Sequence, residues 1–468
     1  MTIAQPDRIA SAFALQKAGV ERRRLEFGLK ERLAALASLR ATVQKRQDEI
    51  VAALAADFGK PETEVILTEI LPVLQEIRHT SAHLKGWMKS RSVSPTLATL
   101  GTASRIRREP RGVCLIISPW NYPFNLALGP LVSCLAAGNS AILKPSEMTP
   151  ATSTLIASIV AEAFPPELAT VVEGAKEAST ALLALPFDHI FFTGSPAVGR
   201  IVMEAAAKHL SSVTLELGGK SPTIVGPGAD LKRAAEWVTF GKFANAGQTC
   251  IAPDHLFVHE SVRDGFLAAL RARIAKAYGD DPLASPHLAG IVNDHHAGRL
   301  GRLLDDATAN GARIIDGGHR NGTRMAPTLM EAVTPDMEID REEIFGPVLP
   351  VIAYSDIDDV IARINGRPKP LALYVFDRDR AFAERIIAAT SSGGVGVNLT
   401  VMHYTHPGLP FGGVNNSGIG AAHGEHGFLT FSHERAIMEN RFSSLPMLFP
   451  PYTAGVKRLA GMAKKLLG

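Results

Sequence analysis

Cys250, closing the segment Gly247-Gln248-Thr249-Cys250, is a residue type that can attack a carbonyl carbon. That chemistry needs an accessible thiolate, and at an unperturbed pKa of roughly 8.5 only a few per cent of a thiol is ionised at neutral pH. On its own, a cysteine among small residues is more often an inert core residue. Glu216, in Glu216-Leu217-Gly218-Gly219-Lys220, offers one carboxylate at a strand end, where it could equally belong to a surface ion pair. Asn121 lies within Pro119-Trp120-Asn121-Tyr122-Pro123 and could serve as a structural turn residue. A fourth segment, Gly194-Ser195-Pro196-Ala197-Val198-Gly199, follows a predicted strand and opens a helical stretch. Such a junction presents free backbone N–H groups and the positive end of a helix dipole, which suit a phosphate. A plain strand-to-helix turn would look the same, and the dinucleotide fingerprint G-x-G-x-x-G does not occur in the chain.

These segments need a scaffold to bring them together. The chain has 468 residues, 46% hydrophobic and 20% charged. That is a globular composition with enough length for two to three domains of roughly 150 residues each. A formal net charge of +3 lacks the basic excess of a nucleic-acid binder. Cys114, Cys134 and Cys250 have no zinc or redox spacing and are too few for a disulfide framework, so no metal is expected and a reducing cytoplasm fits. Met1 to Leu15 lacks the uninterrupted apolar stretch of a secretory signal. The uncharged run from Pro119 to Leu143 is long enough to mimic a membrane span, but its prolines and glycines mark it as buried globular chain.

Residues 7–88 read as helical, being rich in Ala, Leu, Glu, Arg and Lys. From Arg105 onward, short apolar runs at 113–117, 141–143, 170–172 and 190–192 alternate with helical stretches near 151–163 and 176–184. The alternation predicts an α/β fold with a parallel sheet covered by helices. A second α/β unit begins near Ser212, with strands at 213–216 and 221–225 and helices over 229–246 and between Ser261 and Tyr278. It runs to about Asn398, punctuated near its end by glycine-rich segments at 391–396 and 408–420.

Taken as a series, the motifs are far more specific than any one of them. Pro119-Trp-Asn-Tyr-Pro123, Lys144-Pro145-Ser146-Glu147, Phe192-Thr193-Gly194-Ser195, Glu216-Leu-Gly-Gly-Lys220, Gly247-Gln-Thr-Cys250, Glu342-Glu-Ile-Phe-Gly-Pro347 and Pro410-Phe411-Gly412-Gly413 resemble, in order and spacing, the motif series of the aldehyde dehydrogenase superfamily. The resemblance covers about residues 10–440. Asn416-Ser417-Gly418, His423-Gly424 and Phe431-Ser432-His433-Glu434-Arg435 look like the class 3 branch, and within it like the bacterial coniferyl aldehyde dehydrogenases. Val397-Asn398-Leu399-Thr400 departs from the Val-Asn-Asp typical of that branch, near the expected substrate entrance, and the tail after Ser444 is idiosyncratic.

The resemblance implies a cofactor domain of Rossmann type (1–93 and 108–215), an α/β catalytic domain (216–414) and a small β element for oligomerisation (94–107 and 415–445). It implies NAD-dependent oxidation of an aldehyde to an acid, with NADP as a further candidate cofactor, in a homodimer. The substrate classes of the branch are aromatic, phenylpropenoid and medium- or long-chain aliphatic aldehydes. In these terms Cys250 is the nucleophile, Asn121 and the Cys250 backbone N–H hold the oxyanion, and Glu216 activates water against a thioester. Lys144 and Glu147 would bond the adenosine ribose, with Trp120 lining the cleft. Thr193, Gly194, Ser195 and Gly199 form the turn whose Ser195 meets the pyrophosphate. Glu343 would hold the nicotinamide ribose, with Phe345 beside the ring. Glu147 would repel a 2′-phosphate, which favours NAD. A CoA-acylating enzyme of the same fold is an alternative that Glu216 argues against, and a catalytically silent binding protein is another. Residues 446–468 form a tail in which Tyr452, Val456, Leu459, Ala463, Leu466 and Leu467 share one side of a helix and Lys457, Arg458, Lys464 and Lys465 the other. That is the pattern of a basic amphipathic helix lying on the inner face of a membrane, or of a helix packed on its own dimer.

Overall fold

The computed structural model describes residues 6–467. Apolar, β-branched runs form the first sheet. Its strands Val113–Ile117, Ser140–Lys144, Ala169–Val171, His189–Thr193 and Ser212–Glu216 are parallel, and the short strand Gly418–Ile419 adds antiparallel to the last of them. The strands Val113–Ile117 and Ser140–Lys144 are buried along their whole length, as a parallel sheet covered on both faces requires. Helix Pro6–Ala18 covers one face, setting Ile9 and Phe13 against Val113, Leu115, Ile142 and Phe187. Helices Leu29–Lys45, Leu71–Trp87 and Asn125–Ala137 pack on the other, the first through the buried stripe Leu36, Leu39 and Val43.

The order of the parallel strands sets the location of a site. From Val113–Ile117 the chain winds outward to 140–144 and 169–171, then returns to the opposite side for 189–193 and 212–216. The reversal leaves a crevice outside the carboxyl ends of Val113–Ile117 and His189–Thr193, where open α/β sheets bind their ligands.

A seven-stranded sheet follows: Pro222–Val225, His255–His259, Arg313–Asp316, Thr328–Glu331, Val348–Tyr354, Ala372–Phe376 and Gly394–Val397. It is parallel except where Arg313–Asp316 meets Thr328–Glu331. A third sheet joins Arg91–Val93, Thr102–Pro110 and Ser432–Asn440, the last two in continuous antiparallel register from Ser432 opposite Pro110 to Asn440 opposite Thr102. The small β element therefore begins at Arg91 and extends to Pro110, while Gly418–Ile419, expected in it, joins the six-stranded sheet.

Two local features were not expected. The predicted helix over 229–246 stops at Phe243, because Asn245 and Ala246 take left-handed backbone angles (φ 53° and 51°) that no helix continues. In the N-terminal helices, Ile66–Ile70 forms a π-turn between Glu62–Val65 and Leu71–Trp87. The tail does form a helix, Ala454–Leu467, with Leu459 and Met462 exposed, while Tyr452, expected on its apolar side, precedes it and is exposed as well. Among the described residues no helix is long and apolar enough to cross a membrane.

Candidate active site

Two loops meet at the crevice. The first leaves the sheet at Ser118, whose N–H donates to the Lys144 carbonyl at 3.1 Å. Asn121 in this loop is buried, and its Nδ2 donates to the Gln248 carbonyl at 2.9 Å. In return, Asn245 Nδ2 donates to the Asn121 carbonyl at 2.9 Å. The Tyr122 hydroxyl lies 2.7 Å from Thr249 Oγ1. The second loop is the left-handed turn Asn245-Ala246-Gly247. Left-handed angles cost a non-glycine residue about 1–2 kcal/mol, so this turn has to be held by its surroundings. Glu64 Oε2 accepts the Asn245 N–H at 2.9 Å, Gln248 Nε2 donates to the Gly290 carbonyl at 3.0 Å, and Gln248 Oε1 accepts the Val292 N–H at 2.9 Å. At Gly247 (φ 73°) a Cβ would lie 2.3 Å from the Gly346 carbonyl, so only glycine fits.

The turn delivers Cys250 half-buried at the crevice. Burial first, then the Glu343 and Glu216 carboxyls, push its thiol above the ordinary range, while hydrogen bonds from the backbone N–H groups of Cys250 and Ile251 pull it down. Glu216 ends the strand Ser212–Glu216, opposite Thr193 on one side and Gly418 on the other. It is not part of a surface ion pair. Its side chain is buried, and neither carboxyl oxygen has a hydrogen-bond partner among the described residues. Burial alone therefore raises its pKa well above the carboxylate range.

Glu343 is reached from the other domain. The Gly219 N–H donates to its carboxylate, burial nevertheless lifts its pKa to about 8, and a Cβ at Gly218 would lie 2.3 Å from its Oε2. The segment around it is anchored by Lys220, whose Nζ donates to Asp254 Oδ1 at 2.5 Å and to the carbonyls of Ile339 (2.9 Å) and Glu342 (2.6 Å). Asp254 Oδ2 accepts the Ile344 N–H at 2.9 Å. Phe345 (φ 50°) stands edge-on to Trp120 at 5.3 Å.

The remaining residues line the carboxyl ends of the first sheet. The Gly194 N–H donates to the Glu216 carbonyl at 3.0 Å, and a Cβ at Gly194 would strike the Phe192 ring at 2.5 Å. Ser195 caps helix Pro196–Ala207 by accepting the Val198 N–H at 3.4 Å. Gly199 lies so close to Leu217 that a Cβ would come within 2.8 Å of its Cδ2. Lys144 Nζ meets Glu147 Oε2 at 2.6 Å. An exposed helix start for a pyrophosphate, a cation–carboxylate pair at a strand end for ribose hydroxyls, and two aromatic rings across the crevice fit a nicotinamide dinucleotide. Sequence reasoning gave no role to Lys60, Glu64, Glu69, Asn245, Gln248 or Asp254. Charged and amide side chains in helices and loops read as solvated, and nothing in their spacing signals burial.

Comparison with known proteins defines the class. The family model described as "Aldehyde dehydrogenase family" matches residues 4–437. A 4,4'-diaponeurosporen-aldehyde dehydrogenase of Staphylococcus aureus is 44% identical over 92% of this chain and 94% of its own length. A probable coniferyl aldehyde dehydrogenase of Pseudomonas aeruginosa is 40% identical over 92% of this chain and 90% of its own. A solved structure of Staphylococcus aureus AldH in a substrate-bound state superposes with a TM-score of 0.92 at 42% identity, covering 97% of this chain and 99% of that one. The chain belongs to the aldehyde dehydrogenase family. It is an NAD(P)-dependent oxidoreductase acting on an aldehyde.

The buried carboxyl of Glu216 has a consequence for stability. Its folded pKa lies above its unfolded value, so its contribution is present below the ordinary carboxylate pKa and is lost as pH rises toward the folded value, by at most about 1.4 kcal/mol per pH unit. Gln cannot ionise and keeps the shape. Glu216→Gln should therefore melt at a higher temperature than the parent at pH 8, with the difference shrinking toward pH 5. Calorimetry showing equal melting at both pH values would mean that Glu216 is ionised in the folded state.

Proposed function

We propose that Cys250 forms a thiohemiacetal with the aldehyde, that hydride loss from it leaves a thioester, and that Glu216 activates the water that hydrolyses this thioester to the free acid. The reading is carried by Glu216, a buried carboxyl with both oxygens free, held at the crevice that also contains the Cys250 thiol. In the first step the Cys250 thiol gives its proton to solvent, the sulfur bonds to the carbonyl carbon, and the carbonyl oxygen becomes an alkoxide. Asn121 Nδ2 has two hydrogens, of which one goes to the Gln248 carbonyl. The other is free to meet the alkoxide together with the Cys250 backbone N–H, a donor whose loss typically costs about 10²–10³ in rate. Collapse of the alkoxide re-forms the carbonyl and expels hydride, and when bound the oxidised nicotinamide supplies the hydride acceptor and a positively charged ring. Glu216, as the carboxylate, then takes a proton from water as the oxygen attacks the acyl carbon, and passes it to the departing Cys250 sulfur. A carboxyl of raised pKa suits both directions of proton movement near neutrality.

Lys144, Glu147, Ser195 and Glu343 would hold the cofactor, with Thr193, Gly194 and Gly199 shaping the turn and Trp120 and Phe345 flanking the ring. An apolar aldehyde suits the aromatic surroundings of the site, where Tyr404 packs on Phe411 at 4.8 Å and on His423 at 4.6 Å and accepts a hydrogen bond from Asn125 Nδ2 at 2.8 Å. The names of the two relatives, one for a diaponeurosporen aldehyde and one for coniferyl aldehyde, support that class.

Cys250→Ala should abolish aldehyde oxidation and keep NAD binding. Glu216→Gln should give a burst of NADH followed by a slow phase, because hydride leaves before water attacks. Substantial turnover by the purified Cys250 variant would overturn the nucleophile, and loss of the burst would overturn the base.

Removing the Glu147 carboxylate removes repulsion of a 2′-phosphate. Glu147→Gln should raise kcat/KM with NADP relative to NAD. An unchanged ratio, or a shift toward NAD, would show that Glu147 does not face the ribose.

The strand Ser432–Asn440 is an exposed sheet edge nine residues long, which supports a homodimer with a shared sheet. The tail helix carries Lys457, Arg458, Lys464 and Lys465 beside the exposed Leu459 and Met462, which supports weak contact with an anionic membrane surface. Sedimentation should give dimers for the full chain and for a chain lacking residues 446–468, while only the full chain co-sediments with anionic vesicles at low salt. A stable monomer at micromolar concentration refutes the first reading, and failure of the full chain to bind vesicles refutes the second.

A further inference from the structure

Neither sheet supplies all the supports of the catalytic loops. The N-terminal helices and the connection at 59–61 send three charged side chains inward beside Tyr122. Lys60 and Glu69 form an ion pair of 2.7 Å, and both side chains are 0% exposed. The Lys60 Nζ also sits 3.9 Å from the centre of the Tyr122 ring. Glu69 Oε2 accepts the Asn125 N–H at 2.9 Å, at the start of helix Asn125–Ala137 and just beyond the Asn121 loop. Glu64, one helical turn before Glu69, accepts the Asn245 N–H at 2.9 Å and so holds the left-handed turn before Cys250.

Burying full charges costs free energy that apolar residues of the same volume would not incur, so stability alone gives no reason for this cluster. Its geometry gives one. Glu64 receives a backbone N–H from the turn before Cys250 and Glu69 one from the helix start after the Asn121 loop, while Lys60 pairs with Glu69 and lies over the ring of Tyr122. The Tyr122 hydroxyl in turn meets Thr249, the residue before Cys250. The π-turn Ile66–Ile70 contributes as well. One extra residue in this turn brings Glu69, five residues on, to the same side of the helix as Glu64.

We propose that Lys60, Glu64 and Glu69 are positioning residues for aldehyde oxidation, a buried clamp that fixes the Asn121 amide against the Cys250 sulfur. The clamp touches neither substrate nor cofactor. It rests on the reading of Cys250 as nucleophile. Displacing reacting groups by about 1 Å can cost on the order of 100-fold in rate, so a clamp of this kind acts on the chemical step and not on affinity.

The test compares single-turnover NADH formation, NAD affinity and alkylation of Cys250 by iodoacetamide in Glu64→Leu, Glu64→Gln and Tyr122→Phe. Glu64→Leu removes the acceptor for Asn245 and should slow hydride transfer and alkylation by about 10- to 100-fold, with NAD affinity within about threefold of the parent. The amide oxygen introduced by Glu64→Gln still accepts that N–H and should restore both rates to within about threefold. Tyr122→Phe keeps the ring on Lys60 and loses only the hydroxyl to Thr249. It should slow hydride transfer by about tenfold, and it carries the test if Glu64→Leu does not fold. Parent-like hydride transfer in Tyr122→Phe or in folded Glu64→Leu overturns the clamp, as does a Glu64→Gln enzyme as slow as Glu64→Leu. An active Cys250→Ala variant would instead overturn the nucleophile, so the two failures are told apart.

Discussion

The exchange of amides between Asn121 and the turn at Asn245–Gln248 is the contact on which the site depends. Asn121 gives a hydrogen to the Gln248 carbonyl and its own carbonyl takes one from Asn245, 2.9 Å each way. One partner belongs to the loop leaving the six-stranded sheet and the other to the loop before Cys250 in the second unit. Each loop is irregular because it must carry a reactive group to the crevice, and neither could hold its shape alone. The left-handed residues Asn245 and Ala246 make the point most directly. Their backbone is costly and is retained because Glu64, Gln248 and Asn121 together determine it.

The same crevice trades stability for chemistry. Glu216 is buried with both oxygens free, Glu343 is lifted to about 8, and the Cys250 thiol is raised by both. In a purely structural core such groups would be paired or replaced. Here Glu216 has no partner for either oxygen among the described residues, and Glu343 takes a backbone N–H from Gly219 alone. The ordered framework absorbs the cost: Lys220 and Asp254, fully engaged with each other and with the backbone of 339–344, anchor the segment that brings Glu343 and Phe345 to the same place.

Much of this was legible in the sequence. Periodicity marked the parallel strands because buried strands are continuous apolar runs, and the ordered motifs indicated the family whose model matches residues 4–437. What escaped was nonlocal. The helix over 229–246 could not be seen to break at Phe243, because Asn245 and Ala246 are ordinary helix residues forced left-handed by partners far away. Glu216 could not be told from a surface acid, since burial is a property of the whole fold. Glu64 and Glu69 look like the polar face of an amphipathic helix and Lys60 like a solvated turn residue, and the π-turn that aligns the two acids has no residue signature. Gly418–Ile419, too short to carry any periodicity, gave no sign that it would pair with Ser212–Glu216.

The supports of the site span great distances along the chain. Glu64 and Asn245 are 181 residues apart, Asn121 and Gln248 are 127, Asn125 and Tyr404 are 279, and Glu76 reaches Gly424 across 348. Contacts of such separation form late, because the entropy of closing a long loop must be overcome before they stabilise anything. During synthesis, then, the stretch carrying Cys250 emerges well before Tyr404 and Gly424, the late partners of Asn125 and Glu76. A nascent or truncated chain would lack those contacts, so the surroundings of the site are complete only when nearly the whole polypeptide has left the ribosome.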